Sequence, residues 1–224
     1  MSNLSIKATN DGSSTIYNEE LDEHYHSIHG AIQESLHVFI KMGLNNYLEN
    51  FKNHNQLNIL EIGFGTGLNC ILTLIEHLKY ENIIFKYSAI EPFPLSLTNL
   101  NSLDFKLSNF HLGLFKKIHE SPFEKENKIS NNFIISKYKL TLTDFKPNYL
   151  YDLIYFDAFA PRKQPELWNL EVFNKLFNLT SINGTLVTYC AKGQVRRDLQ
   201  SAGFNVERLK GPPGKREMLR ATKI

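Results

Sequence analysis

The period of the apolar positions changes repeatedly along the chain, and the changes predict an alternation of strands and helices. Residues 58–62 form a short apolar run broken only by Glu61, the pattern of a buried strand. From Leu68 to Leu78 apolar residues recur at helical spacing (Leu68, Ile71, Leu72, Ile75, Leu78), which predicts a helix. Further strands are predicted over residues 83–90, 137–142, 150–156 and 185–190, and helical segments over 95–114, 170–179 and 195–202. Asn183-Gly184 reads as a turn and Gly203 as a helix cap. Residues 204–209 and 217–222, joined by Lys210-Gly-Pro-Pro-Gly-Lys215, predict a closing hairpin with one antiparallel edge. Helices between the early strands imply a parallel sheet with right-handed crossovers. The expected fold is α/β, a doubly wound seven-stranded sheet. Residues 1–56 precede it as an N-terminal extension packed on residues 57–224. Within the extension, Asn10-Asp11-Gly12 marks a hairpin or loop, and the second half of residues 25–40 takes up a helical period that continues to about Leu48.

Between the first strand and its helix lie three glycines at alternate positions, Gly63, Gly65 and Gly67. Strand, glycine turn and helix make a cofactor cradle at the C-terminal edge of a parallel sheet. Leu68 and Asn69 stand where a triphosphate-binding loop would put Lys and Ser/Thr. The spacing G-x-G-x-G also differs from the dinucleotide pattern G-x-G-x-x-G. With Glu61 just ahead of it, the loop resembles motif I of the class I S-adenosyl-L-methionine (SAM) methyltransferases. A cationic sulfonium and an α-amino group favour a nearby carboxylate, and the absence of phosphate on SAM fits the missing Lys. The resemblance implies cofactor contacts from Glu61, Gly63, Phe64, Gly65, Gly67 and Asn69.

The next strands end on carboxylates. Glu91 closes the predicted second strand, where a carboxylate accepts hydrogen bonds from ribose hydroxyls. Thr143-Asp144 close the predicted third strand, and the resemblance implies that the acid takes the adenine amine. Asp157 ends the fourth, within Phe156-Asp-Ala-Phe-Ala-Pro161, where methyltransferases of this class meet the methyl acceptor. A plain helix-capping role for Asp157 is the competing reading, disfavoured by Pro161.

Composition narrows the class without naming a function. The chain has 224 residues, 42% hydrophobic and 21% charged, enough for one domain with a sizeable core. Two cysteines far apart, Cys70 and Cys190, read as free buried thiols in a reducing cytosol. No signal-peptide core and no membrane-length apolar run is seen, so the expectation is a cytoplasmic protein without membrane partners. His24, His26 and His29 lack Cys or carboxylate partners at ligand spacing, so no metal is expected. The net charge of +2 is unevenly spread: residues 192–224 carry nine Lys/Arg against three Asp/Glu, leaving the rest of the chain at −4. Such a basic segment suits a polyanionic partner, but on charge alone a solvated, lysine-rich surface is the favoured reading.

Glu61-Ile-Gly-Phe-Gly-Thr-Gly-Leu-Asn69, Glu91-Pro-Phe-Pro94, Phe156–Pro161 with Pro165-Glu-Leu-Trp168, Gly184–Thr188, Val195-Arg-Arg197, Ala202-Gly-Phe204 and Lys215-Arg-Glu-Met-Leu219 together resemble the methyltransferase domain of the MnmC family. Tyr25-His-Ser27 and Gly30–Ser35 resemble its stand-alone, MnmD-type members. Two departures stand out: Ala158 where the bifunctional proteins tend to have Gly, and a Gly-Pro-Pro-Gly214 loop in place of one containing an aromatic. The resemblance implies SAM-dependent methylation of the 5-aminomethyl group of wobble (2-thio)uridine in tRNA, without the flavin-dependent oxidase step, by a chain for which a monomer is expected. Asp157 is then the catalytic residue. His26, Phe159, Trp168, Arg196, Arg197, Lys215 and Arg216 are the substrate contacts, the four basic residues placing the anticodon stem-loop. A methyltransferase for another amine, or an RNA-binding module that holds SAM without turnover, are the alternatives.

Overall fold

A computed structural model describes residues 4–50, 55–80 and 82–224. The very start of the predicted extension and part of its junction, residues 1–3 and 51–54, lie outside the described residues. The central sheet is built from β4 (Gln56–Ile62), β5 (Ile84–Ile90), β6 (Glu126–Ser130), β7 (Phe133–Tyr138), β8 (Tyr151–Phe156), β9 (Thr180–Thr188), β10 (Asn205–Lys210) and β11 (Glu217–Thr222), in the order β10-β11-β9-β8-β4-β5-β7-β6. Neighbours from β9 through β8, β4 and β5 to β7 run parallel, while β11 is antiparallel to β9 and to β10. The doubly wound α/β sheet expected from the sequence is therefore present, with eight strands rather than seven.

The extra strand is β6, which pairs antiparallel with β7 at the sheet edge. Its residues Glu-Asn-Lys-Ile-Ser bury one side chain, Ile129, so no apolar alternation announces it. The third parallel strand is displaced from the predicted 137–142 to Phe133–Tyr138, because Phe133 and Ile135 fill the core on one face. Lys137 goes inside with them. Its Nζ donates to the His119 carbonyl (2.9 Å) and lies over the Phe123 ring (4.7 Å). Asn183-Gly184 lies within β9 rather than before it, where the register with β8 shifts.

Helices cover both faces. Ala31–Ser35 (α1), a π-helical stretch Leu36–Asn45 and Asn46–Asn50 (α2) run on from one another. They share a core with α3 (Leu68–His77) and α5 (Asn109–Glu120), through Val38, Phe39, Leu44, Ile71, Leu74 and Ile118. Gly43 lets the π-helical stretch approach β9, since a Cβ there would sit 3.0 Å from Val187. The other face is packed by α6 (Leu170–Leu179) and α7 (Gly193–Ser201), through Phe173, Leu176 and Leu199. The predicted helical segment 95–114 resolves into α4 (Leu97–Asn101) and the start of α5, each opened by a serine N-cap, Ser96 and Ser108. At the N-terminus β1 (Leu4–Ala8), β2 (Ser14–Asn18) and β3 (Glu23–His24) form a small antiparallel sheet, its first turn at Asn10–Gly12. Among the described residues no helix is long and apolar enough to cross a membrane.

Candidate cofactor and acceptor site

The glycine loop leaves β4 at Ile62 and enters α3 at Leu68, and all three of its glycines have positive φ (+87°, +50° and +74°). The amides of Gly63 and Phe64 both donate to the Ile90 carbonyl, which ties the loop to the end of β5. Glu91, one residue further on, accepts from Gly65 N–H (2.9 Å) and Phe93 N–H (3.0 Å), one bond to each carboxylate oxygen. Burial pushes its pKa up, and the two amides pull it back. Each oxygen keeps a further lone pair for a ligand hydroxyl.

Glu61 is fully buried and points away from the cavity. Side chains alternate along β4, so Glu61 shares the face of Leu57 and Ile59, under α3. Its carboxylate accepts from Asn69 Nδ2 (2.9 Å) and Tyr87 Oη (2.8 Å), and burial drives its pKa well up. Asn69 Nδ2 also donates to Asp157 Oδ2 (2.7 Å). One amide therefore bridges the buried Glu61 to Asp157 at the cavity wall. Desolvation pushes the Asp157 carboxyl up to about 7, helped by the charge of Glu34 and opposed by Asn69 and Lys215.

The loop, Glu91 and Asp157 border an open cavity of about 1770 Å³. That exceeds the roughly 300–1,000 Å³ of a single ligand site and leaves room for a cofactor and an acceptor together. Of the predicted site residues, Gly63, Phe64, Gly65, Glu91, Thr143, Asp157, His26, Phe159 and Lys215 line it. Glu61 and Asn69 stand behind the wall. Asp144 is exposed at the rim, its carboxylate accepting from the Thr141 hydroxyl (2.7 Å), and the cavity edge is formed by Thr141, Leu142 and Thr143. This follows from the earlier end of β7: a turn separates Tyr138 from Asp144. Trp168 belongs to the core, stacked edge-on against Phe156 and Phe173's cluster, and its Nε1–H donates to the Phe159 carbonyl (2.7 Å). It holds the loop after β8 from behind. Arg197 and Arg216 are exposed and Arg196 half-buried, outside the cavity lining. Lys215 is not free: its Nζ pairs with Glu34 Oε2 at 2.8 Å and sits 3.8 Å from the Tyr189 ring centroid.

The N-terminal segment completes the wall. Tyr25 packs edge-on against Phe159 (4.9 Å) and contacts the Gly65 position, and the His26 ring hydrogen-bonds the Thr66 hydroxyl in the glycine loop. Burial, with the Lys215 charge, pushes the His26 pKa down to about 4, so the ring is neutral at pH 7. Glu34, Tyr25 and Tyr189 were not singled out in the sequence. Glu34 lies in the Gly30–Ser35 motif and Tyr25 in the Tyr25–Ser27 motif, while Tyr189 had no local signal. Among the described residues no group of three or more His, Cys, Asp or Glu is arranged to hold a metal ion.

Residues 101–224 match the family model described as S-adenosyl-L-methionine-dependent methyltransferase. The chain belongs to this family. It is a SAM-dependent methyltransferase, and SAM is its cofactor. It is 33% identical over 219 residues to the tRNA 5-methylaminomethyl-2-thiouridine biosynthesis bifunctional protein MnmC of Leptospira borgpetersenii, an alignment covering 92% of this chain and 33% of that protein. The MnmC of Pseudoalteromonas translucida is 28% identical over 228 residues, with 91% and 34% covered. The methyltransferase thus spans about one third of the length of these curated relatives. MNMC2 from Aquifex aeolicus superposes with a TM-score of 0.82 at 26% identity, covering 99% of this chain and 70% of that one. Spermidine synthase from Thermotoga maritima shares the fold alone (TM-score 0.51, 14% identity, 98% and 72% covered).

The residues present fit SAM. Gly63 and Gly65, both at positive φ, put no side chain on the cavity wall, and a Cβ at Gly65 would crowd the Tyr25 ring across the opening (3.2 Å). Glu91 offers acceptors and no cation for a phosphate, as a nucleoside without a ribose phosphate requires.

Proposed function

We propose that this methyltransferase methylates the primary amine of 5-aminomethyl-(2-thio)uridine at the wobble position of tRNA, giving 5-methylaminomethyl-(2-thio)uridine. The observation that carries the reading is a SAM cradle opening into one cavity with the Asp157 carboxyl, in a chain related over nine-tenths of its length to MnmC. Methyl transfer alone is assigned to these residues. The flavin-dependent step is not, because their glycine spacing is not the dinucleotide pattern.

When bound, SAM supplies an electrophilic methyl group on a sulfonium sulfur. The Gly63–Gly67 loop and Glu91 bind its nucleoside, with Thr143 at the rim toward the base and Asp144 beyond it. Asp157 orients the acceptor nitrogen in line for attack, and takes a proton from it, since an alkylamine arrives mostly as ammonium and only the neutral amine is a nucleophile. A carboxyl held near 7 is matched to that exchange at neutral pH. Tyr25 and Phe159 pack edge-on as an aromatic wall beside Asp157, and neutral His26 adds no competing cation. Arg196, Arg197 and Arg216 contact RNA phosphates; guanidinium groups bind these in two places at once.

Incubating the protein with labelled SAM and tRNA lacking the modification tests this. Labelled 5-methylaminomethyl nucleoside is the expected product, and label confined to protein or metabolites would overturn it. Glu91→Ala is expected to weaken SAM binding by about 1–3 kcal/mol in calorimetry, because the ribose hydroxyls lose their acceptor. Unchanged affinity would put the ribose elsewhere. Neutralising Arg196, Arg197 and Arg216 together should leave SAM affinity intact. It should flatten the log–log salt dependence of tRNA binding by roughly 0.7–0.9 units for each lost phosphate contact. An unchanged slope would place the RNA on another surface.

A further inference from the structure

An ammonium group already sits in the cavity. Lys215 Nζ lies between the Glu34 carboxylate (2.8 Å) and the face of Tyr189 (3.8 Å to the centroid), with 31% of the Lys215 side chain and 10% of the Glu34 side chain exposed. A carboxylate beside an aromatic face recognises an alkylammonium by charge and by the ring quadrupole. Among the described residues Lys215 is the only cation that forms an ion pair with Glu34.

The Tyr189 ring and the Glu34 backbone of this box are tied into the protein. The Tyr189 hydroxyl donates to the Ala158 carbonyl (2.9 Å), and its ring meets Trp168 edge-on (6.2 Å). Glu34 is fixed in the first turn of α1, its amide bonded to the Gly30 carbonyl (3.0 Å). Ala158 follows Asp157 directly, so the box borders the residue assigned to the acceptor nitrogen. The occupant is held less firmly. Lys215 ends a tight turn closed by its own amide on the Pro212 carbonyl (3.0 Å) and by Gly211 N–H on the Arg216 carbonyl (3.1 Å). Its side chain can swing out without breaking the β10–β11 pairing.

We propose that the Glu34–Tyr189 box is the subsite that receives the acceptor's alkylammonium group, and that Lys215 is its resident occupant, displaced when the acceptor enters. This rests on the reading that the acceptor is a primary amine. Once displaced, the Lys215 ammonium is released at the cavity mouth, where an incoming phosphate can pair with it.

The probe is n-butylamine, a cation at neutral pH with the reach of a lysine side chain, added to Lys215→Ala protein without RNA or SAM. Calorimetry should show saturable binding at least roughly tenfold tighter than to the wild type. The gain should disappear on adding Glu34→Gln or Tyr189→Leu. Lys215→Met, which keeps the apolar stem, should gain binding in the same direction and serves if the alanine variant folds poorly. Equal binding to wild type and both lysine variants would overturn the box. Because this assay contains no RNA, it stands or falls separately from the tRNA reading. Butylamine should also compete with aminomethyl-bearing tRNA for the Lys215→Ala protein. Butylamine bound without competition would leave a cation box that is not the acceptor subsite, and would overturn the assignment.

Discussion

Asp157→Asn is expected to keep the fold and the affinity for SAM while lowering methyl transfer roughly 10²–10⁴-fold, the span of a lost general base. The substitution preserves shape, and a carboxamide oxygen can still accept from Asn69 Nδ2, so positioning survives and proton exchange does not. The pH profile separates the two. Burial holds the Asp157 carboxyl up at about 7, so its ionised fraction falls tenfold per pH unit below that value. The wild-type rate should fall as pH drops through 7, and the residual rate of the variant should lack that limb. Stability supplies a second readout, with the sign fixed by linkage. Between the ordinary value of 3.8 and about 7 the folded protein holds a proton that the unfolded chain has released. Wild-type stability therefore declines across that window as pH rises, and the asparagine variant should be spared this decline in melting experiments. Wild-type turnover in the variant, with its acid limb intact, would return Asp157 to a structural role.

The parts of the site that follow from local pattern were legible in the sequence. A strand buried on both faces, a glycine turn and an apolar-periodic helix specify the cradle within about twenty residues. Glu91 and Asp157, both on the cavity wall, each follow directly on an apolar run, which made their strand-end positions readable. Asp144 was assigned to a strand end that lies elsewhere: Lys137-Tyr-Lys-Leu-Thr-Leu142 alternates like a strand, yet the core takes Phe133 and Ile135 instead. A buried Lys137, satisfied by a carbonyl and a ring, made the true strand look like its polar flank. Glu61 was placed against the cofactor, although its face was readable: Leu57, Ile59 and Glu61 share a period of two and so point together into the layer under α3. Glu34, Tyr189 and Lys215 come from three distant segments. Their meeting depends on how the N-terminal helix and the final hairpin cross the sheet, which no local pattern encodes.

The same substitution, Gly→Ala, should have opposite effects at Gly63 and Gly113. At Gly63 φ is +87°, and a Cβ would stand 2.5 Å from the carbonyl oxygen of Asp157. That neighbour is backbone at the end of β8, and Asp157 N–H donates to the Ile62 carbonyl (2.9 Å), so the two strand ends cannot separate freely. Strain of this kind costs about 1–3 kcal/mol. Relieving it must move the peptide that carries the Asp157 side chain. A displacement of about 1 Å at a reacting group can cost roughly 100-fold in rate, so Gly63→Ala should lose both stability and turnover. Gly113 is exposed in α5, with nothing within 4 Å of its Cβ position. Alanine there restricts the unfolded chain and suits a helix, which should stabilise the protein by about 0.4–1 kcal/mol. For a chain of this size the melting temperature should rise by about 1–4 °C, with turnover unchanged. Melting curves and single-turnover methyl transfer on the two variants make the comparison. Full turnover in Gly63→Ala would mean that the close approach of the glycine loop to β8 does not set the position of the carboxylate proposed to act on the acceptor.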